Sequence, residues 1–334
     1  MVAESKRIGW VDLAKGFCIL LVVINHAAIA AWCSYSLELQ ATSFKMPLYF
    51  ILSGLFFKLY EDFGGFLKRK TNKLLIPFLF FFLVTSVLPE AAMKHQLAVT
   101  TVMRDRYIPF NNAIWFLLCL FEVNLIFYLI HLLAKVVSAK YQTIIVLAVS
   151  VALGFTGLYL GDNRILLPLY LDSAMSALPF FAFGYWLFRH TGFMAAPLHP
   201  LRDGLLLVAC VMIVWFLAIP FIWIENRFPA TVSPLQVYLC GIAGTMMVLI
   251  ISKILKYLPL VSFWGRYSII ILCTQQVVIT IAVYFLRRWF HGEYLMAVLL
   301  AVTLPVCHLL ILFNRKFMPH VTAQKDVIRI TQAT

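Results

Sequence analysis

The sequence predicts an all-α polytopic membrane protein with about ten transmembrane helices. Of its 334 residues, 63% are hydrophobic and only 12% are charged. The mean hydropathy is +0.93, and many apolar runs approach the roughly 20 helical residues that cross a hydrocarbon core. An ordinary soluble core does not need so much apolar surface, so the composition excludes a soluble globular protein.

Charged residues and Pro or Asn breaks divide the chain into ten predicted spans. Their approximate ranges are 8–32, 44–60, 73–89, 113–136, 142–160, 166–188, 204–223, 233–254, 261–286 and 294–313. The third is short, and Pro168, Asp172 and Pro179 interrupt the sixth. No repeat and no long polar stretch is visible, so residues 1–334 are expected to form one integral-membrane domain.

Basic residues predict the orientation. With the N-terminus inside, eighteen of the 27 Lys and Arg residues fall in cytoplasmic segments and eight in outer segments, while Lys15 lies within the first span. Positive residues accumulate on the cytoplasmic side of membrane proteins, so both termini are expected in the cytoplasm. This distribution also explains the net charge of +13, which in a soluble domain would suggest nucleic acid. No nucleic-acid partner is predicted.

Cysteine spacing and the N-terminus exclude some other classes. The seven cysteines are scattered and form no CxxC pair, so neither a disulfide framework nor a metal site is predicted. A basic start, an apolar run and the A-x-A sequence at 28–30 resemble a signal peptide. Asp12 and Lys15 at the start of the apolar run argue against cleavage.

The first span, "WVDLAKGFCILLVVINH" (10–26), carries three ionisable residues. At about 100° and 1.5 Å per residue, Lys15 and His26 share one helix face, about 16 Å apart along the axis. Asp12 lies one turn before Lys15 and can pair with it. A polar stripe on a lipid-spanning helix must face the protein interior or a wet cavity. We therefore expect one internal track, with Lys15 at the cytoplasmic entrance and His26 further out.

Plainer interpretations are open for both residues. Lys15 could extend to the lipid headgroups with Asp12 as its counter-ion, and His26 could bond a neighbouring helix. An ionisable residue inside a membrane is nevertheless a functional candidate by default. The pattern favours a functional role over a structural one for His26. For Lys15 it favours neither.

Five stretches, taken in order, resemble the membrane-bound acyltransferase family 3. The first span resembles its Arg-x10-His signature, especially in the branch that includes fucose 4-O-acetylases. The others are "FKMPLYFILSGLFF" (44–57), "FLKRKTNKLLIPF" (66–78), "AIWFLLCLF" (113–121) and "FWGRYSIIIL" (263–272). Three positions depart from the family pattern: Lys15 replaces the usual arginine, and Lys45 and Gln275 stand where related sequences often have histidine. His26 is left as the only histidine at a matching position.

The resemblance implies a multi-pass protein of a bacterial cytoplasmic (inner) membrane. It would move an acetyl or other short acyl group from acyl-CoA to a hydroxyl of a cell-surface or lipid-linked glycan. His26 is implied as general base, a role that suits a neutral imidazole. Asp12, Lys15, Arg69 and Lys73 are implied at the phosphates of acyl-CoA, although topology alone also demands a basic segment there.

Three further residues are candidates for the site. Lys45 and Trp115 are expected to contact substrate, although a tryptophan at the start of a span is also typical of an interfacial aromatic belt. Glu122, at i+7 from Trp115, would share its face and is the second catalytic candidate after His26. An intramembrane carboxylate is expected to meet a cation or a histidine. Ser53-Gly54 favours close helix packing.

Two other classes compete with this interpretation. A transporter or flippase for a lipid-linked glycan would also have many spans and internal charges. The sequence shows neither an inverted repeat nor paired broken helices, which argues against it. Membrane-bound O-acyltransferases also use an intramembrane histidine, but in later helices. The acyl group, the acceptor sugar and the oligomeric state stay open.

Overall fold

The computed structural model describes residues 8–34, 37–60, 62–92, 106–138 and 140–329. Across these residues the chain is helical, apart from connecting turns and an isolated β-bridge between Ile222 and Arg227. Eight helices are long and apolar enough to cross a membrane. The predicted all-α polytopic fold is confirmed.

Eleven helices follow one another along the described residues. They are α1 (Gly9–Ala31), α2 (Glu38–Leu55), α3 (Phe63–Ala92), α4 (Trp115–Val137), α5 (Gln142–Asp162), α6 (Leu171–His190), α7 (Pro200–Leu217), α8 (Pro234–Leu255), α9 (Pro259–Arg266), α10 (Ser268–Leu286) and α11 (Gly292–Phe317). Ten correspond to the predicted spans, and α9 is a short addition. Helices α2 and α6, each with an acidic first turn and an internal proline, stand outside the eight most apolar ones.

The predicted start of the third span at Lys73 is wrong. Helix α3 begins at Phe63, because the Asp62 carboxylate caps it by accepting the N–H groups of Gly64 at 3.0 Å and Gly65 at 2.6 Å. These bonds hold the pKa of Asp62 below its usual value. The basic residues before Lys73 are also helical, since Lys and Arg are good helix formers. Lys73 therefore lies ten residues inside α3, not at its start.

Two internal irregularities shape the helices around the site. Residues Thr71–Leu75 form a π-helical turn just before Pro77, which has no N–H for the helix ladder. The predicted ninth span divides into α9 and α10 at Tyr267, whose backbone leaves the helical region. Lys73 lies in the π-helical turn and Arg266 directly precedes Tyr267. Both basic residues lie at the same end of the bundle.

Helix α1 lies at the centre of the bundle, in contact with α2, α8, α9, α10 and α11. Its approach to α9 depends on two glycines. A Cβ on Gly16 would lie 2.1 Å from the Val261 carbonyl oxygen, and a Cβ on Gly265 would lie 1.8 Å from that of Asp12. Small residues let helix backbones touch in a membrane. The position of the ionisable face of α1 is therefore fixed by backbone contact.

Helices α2 and α6 meet in the same way. A Cβ on Gly54 would lie 2.0 Å from the Phe181 carbonyl oxygen, and one on Gly184 would lie 2.1 Å from that of Ile51. The packing role predicted for Ser53-Gly54 agrees with this contact. The α1–α9 and α2–α6 contacts together fix the positions of α1 and α2, the helices that carry His26 and Lys45.

Candidate active site

A large cavity opens at the inner end of the bundle, which we define as the end where α1 begins. Its volume is about 620 Å³, and it is lined by parts of α1, α2, α3, α4, α9, α10 and the segment after α11. Five of its described lining residues are cationic: Lys15, Arg69, Lys70, Lys73 and Arg266. Asp326 is an acidic member of the same lining. This inner cavity is suited to a polyanionic ligand.

Aromatic rings hold several of these cations in place. The Lys15 ammonium lies 5.3 Å from the ring centroid of Phe56, and the Arg69 guanidinium lies 4.7 Å from that of Tyr60. Such cation–π contacts orient a charge without neutralising it. The Arg69 Nε is buried and has no hydrogen-bond partner among the described residues. Arg69 itself is one of the residues that line the cavity.

The segment after α11 reaches across the cavity mouth to α3. Lys73 Nζ donates to the Ala323 carbonyl oxygen at 2.8 Å and lies 3.4 Å from Asp326 Oδ1. Asn72 exchanges hydrogen bonds with the backbone of Val327 and Ile328. Lys73 thus lines the inner cavity and also interacts with the C-terminal segment.

A second, smaller cavity of about 40 Å³ lies further along α1, and we call it the outer cavity. Its polar lining includes Asn25, His26, Lys45 and the Tyr49 hydroxyl. The remaining lining residues are aromatic or apolar: Val22, Met46, Ala113, Trp115, Phe116 and Leu272. A histidine and a lysine therefore face one small, mostly apolar space.

Gln275 of α10 holds the His26 ring. Its Nε2 lies 2.6 Å from His26 Nδ1, and its Oε1 is buried without a hydrogen-bond partner in the described part of the chain. A carboxamide can serve either tautomer of imidazole: Nε2–H donates to a bare Nδ1, or, with the amide turned, Oε1 accepts from Nδ1–H. The second arrangement leaves the Nε2 lone pair of His26 available to accept a proton.

The two cavities share Tyr49, Phe116 and Leu272 as lining residues. The rings of Tyr49 and Phe116 pack with centroids 5.3 Å apart. Because they line both, these three side chains lie where a cationic chamber meets a chamber that holds His26, and we call them the partition. Lys15 lines the first chamber and His26 lines the second.

The other predicted site residues divide into two groups. Lys45 and Trp115 line the outer cavity, and Trp115 is buried against Tyr170, with centroids 5.5 Å apart, as an interfacial belt residue would not be. Asp12 and Glu122 lie outside the described lining of both cavities. The Glu122 Oε2 is buried and has no hydrogen-bond partner among the described residues. Their functional roles stay predictions.

Sequence reasoning missed Asn25, Tyr49 and Asp326. Asn25 is a polar residue next to His26 within an apolar run, a signal that could have been used. Tyr49 looks like ordinary core within "MPLYF". Asp326 had no local signal, because its partner Lys73 lies 253 positions earlier in the chain.

The helices that form both cavities lie within the range matched by one protein family. The acyltransferase 3 family model, described as an acyltransferase domain, matches residues 8–311. The chain belongs to this family. Asp326 and its segment lie beyond the matched range, so the acyltransferase contributes part of its cavity from outside the family region. No curated protein and no solved structure shows a significant match to it.

The acyltransferase has no cluster of three or more His, Cys, Asp and Glu side chains that could hold a metal ion within its described residues. Its cysteines there are free. The ionisable groups that face the cavities are those described above.

Proposed function

We propose that this acyltransferase moves an acetyl or other short acyl group from acyl-CoA to a hydroxyl of a cell-surface or lipid-linked glycan. His26 serves as general base. The observation that carries the proposal is the pair of adjoining cavities, one lined by five cations and the other by His26. The N-terminal end of α1 is predicted to be cytoplasmic, where acyl-CoA is made.

The inner cavity suits the head of the donor. Acyl-CoA carries several phosphates, which cannot enter lipid, and Lys and Arg side chains bind phosphate strongly. Lys15, Arg69 and Lys73 would hold these phosphates at the inner end. The thin pantetheine arm would then pass the partition toward His26, about 16 Å from Lys15 along α1.

The size of the outer cavity favours a short acyl group. Its volume of about 40 Å³ corresponds to about three water-sized spheres. An acetyl group is of that size. A longer acyl chain would have to displace Trp115 or Phe116 from the cavity wall.

The reaction needs one proton acceptor and one proton donor. The glycan hydroxyl gives its proton to His26 as its oxygen attacks the thioester carbonyl carbon. The carbon–sulfur bond then breaks, and the departing CoA sulfur takes the proton from the imidazolium. The ester and free CoA are released, and His26 returns to its neutral form.

The acceptor would reach His26 from the outer end of the bundle. Lys45 and Trp115 line the cavity there and would contact the sugar. The resemblance of the first span to fucose 4-O-acetylases supports a sugar hydroxyl as the acceptor. Residues 93–105, before α4, lie outside the described residues.

The test combines a cellular and a purified assay. Mass spectrometry of surface glycans, with and without the protein, should reveal a missing acetyl or other short acyl group. Purified protein in lipid nanodiscs should release CoA thiol from acetyl-CoA, and His26→Gln should slow this release by about 100-fold or more. His308→Gln is the matched control, because His308 accepts a hydrogen bond from Trp264 and is not among the residues that line either cavity. A His26→Gln variant as active as wild type would end the proposal, and wild-type protein without acyl-CoA turnover would favour a transporter.

A further inference from the structure

Lys45 is a half-buried cation about two helical turns into α2, and Glu38, at the start of the same helix, acts on it electrostatically without a salt bridge. It lies on α2, and its Nζ donates to Asn25 Oδ1 at 2.6 Å. Among the described residues, no carboxylate lies within salt-bridge distance of it. A charged side chain inside a membrane is costly and usually marks a functional site. The proposed glycan contact does not by itself explain a charge at this depth.

The surroundings of Lys45 hold it in one place. Asn25 belongs to α1, immediately before His26, so the ammonium is tied to the helix turn that carries the proposed base. The Cys18 thiol donates to the Lys45 carbonyl oxygen at 3.0 Å, which fixes the lysine backbone against the same helix. A lysine ammonium has three N–H donors, and Asn25 occupies one of them. The others are available to a group in the outer cavity.

Lys45 is separated from the cations suited to the donor phosphates. Those line the inner cavity, whereas Lys45 lines the outer cavity together with His26. In so small a space, a group bonded to one side chain lies within a few ångströms of the other. A ligand atom in this space would therefore meet a proton acceptor and a cation together.

We infer that Lys45 stabilises the negative charge that forms on the thioester carbonyl oxygen during acyl transfer, with Asn25 positioning its ammonium. The inference rests on the proposed function and assigns Lys45 a catalytic role there. As the hydroxyl oxygen bonds to the carbonyl carbon, the π-electron pair moves onto the carbonyl oxygen while His26 takes the proton. The oxyanion lasts until this electron pair re-forms the carbonyl double bond. The carbon–sulfur bond then breaks and CoA leaves.

The lining of the outer cavity singles out Lys45 for this task. An oxyanion needs preorganised donors about 3 Å away in a space without bulk water. The other donors in the lining, the Tyr49 hydroxyl, the Trp115 indole N–H and the Asn25 amide N–H groups, are neutral, and the Asn25 oxygen is already bonded to the lysine. A cation held in advance costs no rearrangement when the charge appears. Among the described residues, Lys45 is the lysine or arginine that lines this cavity and could bond the oxyanion.

The experiment measures CoA thiol release from acetyl-CoA, with water as acceptor, by purified protein in nanodiscs. Hydrolysis passes through the same oxyanion but needs no glycan. Lys45→Met should lower kcat by about 100-fold and leave KM for acetyl-CoA within about two-fold, the usual pattern for loss of one oxyanion donor. Lys45→Arg, which keeps the charge, should retain more activity than Lys45→Met. Lys135→Met, an exposed position near the end of α4, is the control.

Other outcomes would overturn the inference. A raised KM for acetyl-CoA with unchanged kcat would make Lys45 a phosphate ligand. Normal hydrolysis with impaired transfer to the glycan would make it an acceptor contact. If Lys45→Met is not inserted into the membrane, Lys45→Gln and Lys45→Arg give the same kcat and KM comparison. Failure of the proposed function itself looks different, because wild type and His26→Gln would then release equally little CoA.

Discussion

The side-chain nitrogen of Gln275 lies 2.6 Å from Nδ1 of His26, and this contact joins α10 to α1 at the outer cavity. A neutral amide can hold the ring without placing a second charge in the membrane. It also leaves the opposite ring nitrogen outside the contact. The Gln275 contact therefore orients the imidazole that we propose as the proton acceptor.

Replacing Gln275 with methionine should slow acyl transfer, because methionine has a similar length but no strong hydrogen-bonding group. We expect kcat for CoA release to fall about 10-fold to 100-fold, the scale of a misplaced catalytic group, with little change in KM for acetyl-CoA. Gln275→His, which restores a ring-nitrogen partner, should recover activity. Gln142→Met removes a glutamine hydrogen bond to the His131 carbonyl oxygen, away from both cavities, and should have no such effect. Equal activity of Gln275→Met and wild type would show that the contact is only structural.

Lys15 gives a test of the donor site. Lys15→Arg should keep activity, since arginine also binds phosphate and is the commoner residue in the family that this span resembles. Lys15→Ala should raise KM for acyl-CoA about 10-fold or more, the scale of a lost charged hydrogen bond, with a smaller effect on the acceptor. The measurement is initial rate against acetyl-CoA concentration. If Lys15→Ala and wild type have equal rates at limiting acyl-CoA, Lys15 contacts the lipid headgroups and does not bind the donor.

Asp326 should compete with the donor for Lys73. The two side chains are about half exposed and 3.4 Å apart, so their interaction is worth at most about 1 kcal/mol. Asp326→Asn should therefore lower KM for acyl-CoA by up to about 5-fold, and added salt should reduce the difference. Asp162→Asn, at an exposed end of α5, is the control. A higher KM in Asp326→Asn would mean that the carboxylate instead holds Lys73 in its binding position.

Gly265 should be sensitive to any added side chain. A Cβ there would lie 1.8 Å from the Asp12 carbonyl oxygen, so Gly265→Val must push α9 away from α1. We expect a loss of about 3 kcal/mol or more in stability, measured as a lower unfolding temperature in detergent. Gly204→Ala on α7, where a Cβ would meet no atom within 4 Å, should be neutral or slightly stabilising. Equal unfolding temperatures for both variants would refute the tight α1–α9 contact.

Much of the fold follows from local sequence, because a membrane demands long apolar helices. The first span could be interpreted almost completely: helix periodicity alone places Lys15 and His26 on one side. The start of α3 could not be predicted in this way. It depends on recognising Asp62 as the helix cap and the basic residues after it as part of the helix. Helix α9 was hidden within an apolar stretch that breaks at Tyr267.

The candidate site was predicted less fully than the fold. Residues at motif positions, such as Lys45 and Trp115, do line a cavity. Helical spacing alone placed Glu122 with Trp115, but packing against other helices decides which face of α4 meets each cavity. The contact of Gln275 with His26 joins residues 249 positions apart, and that of Asp326 with Lys73 depends on the path of the C-terminal segment. No periodicity along the chain carries such information.

The partition formed by Tyr49, Phe116 and Leu272 bears on the permeability of the membrane to protons. A continuous water column past Lys15 and His26 would let protons leak down an electrochemical gradient. Aromatic and aliphatic side chains at the junction of the two cavities oppose such a column. A thin acyl carrier that fills the gap as it parts these side chains would preserve that seal.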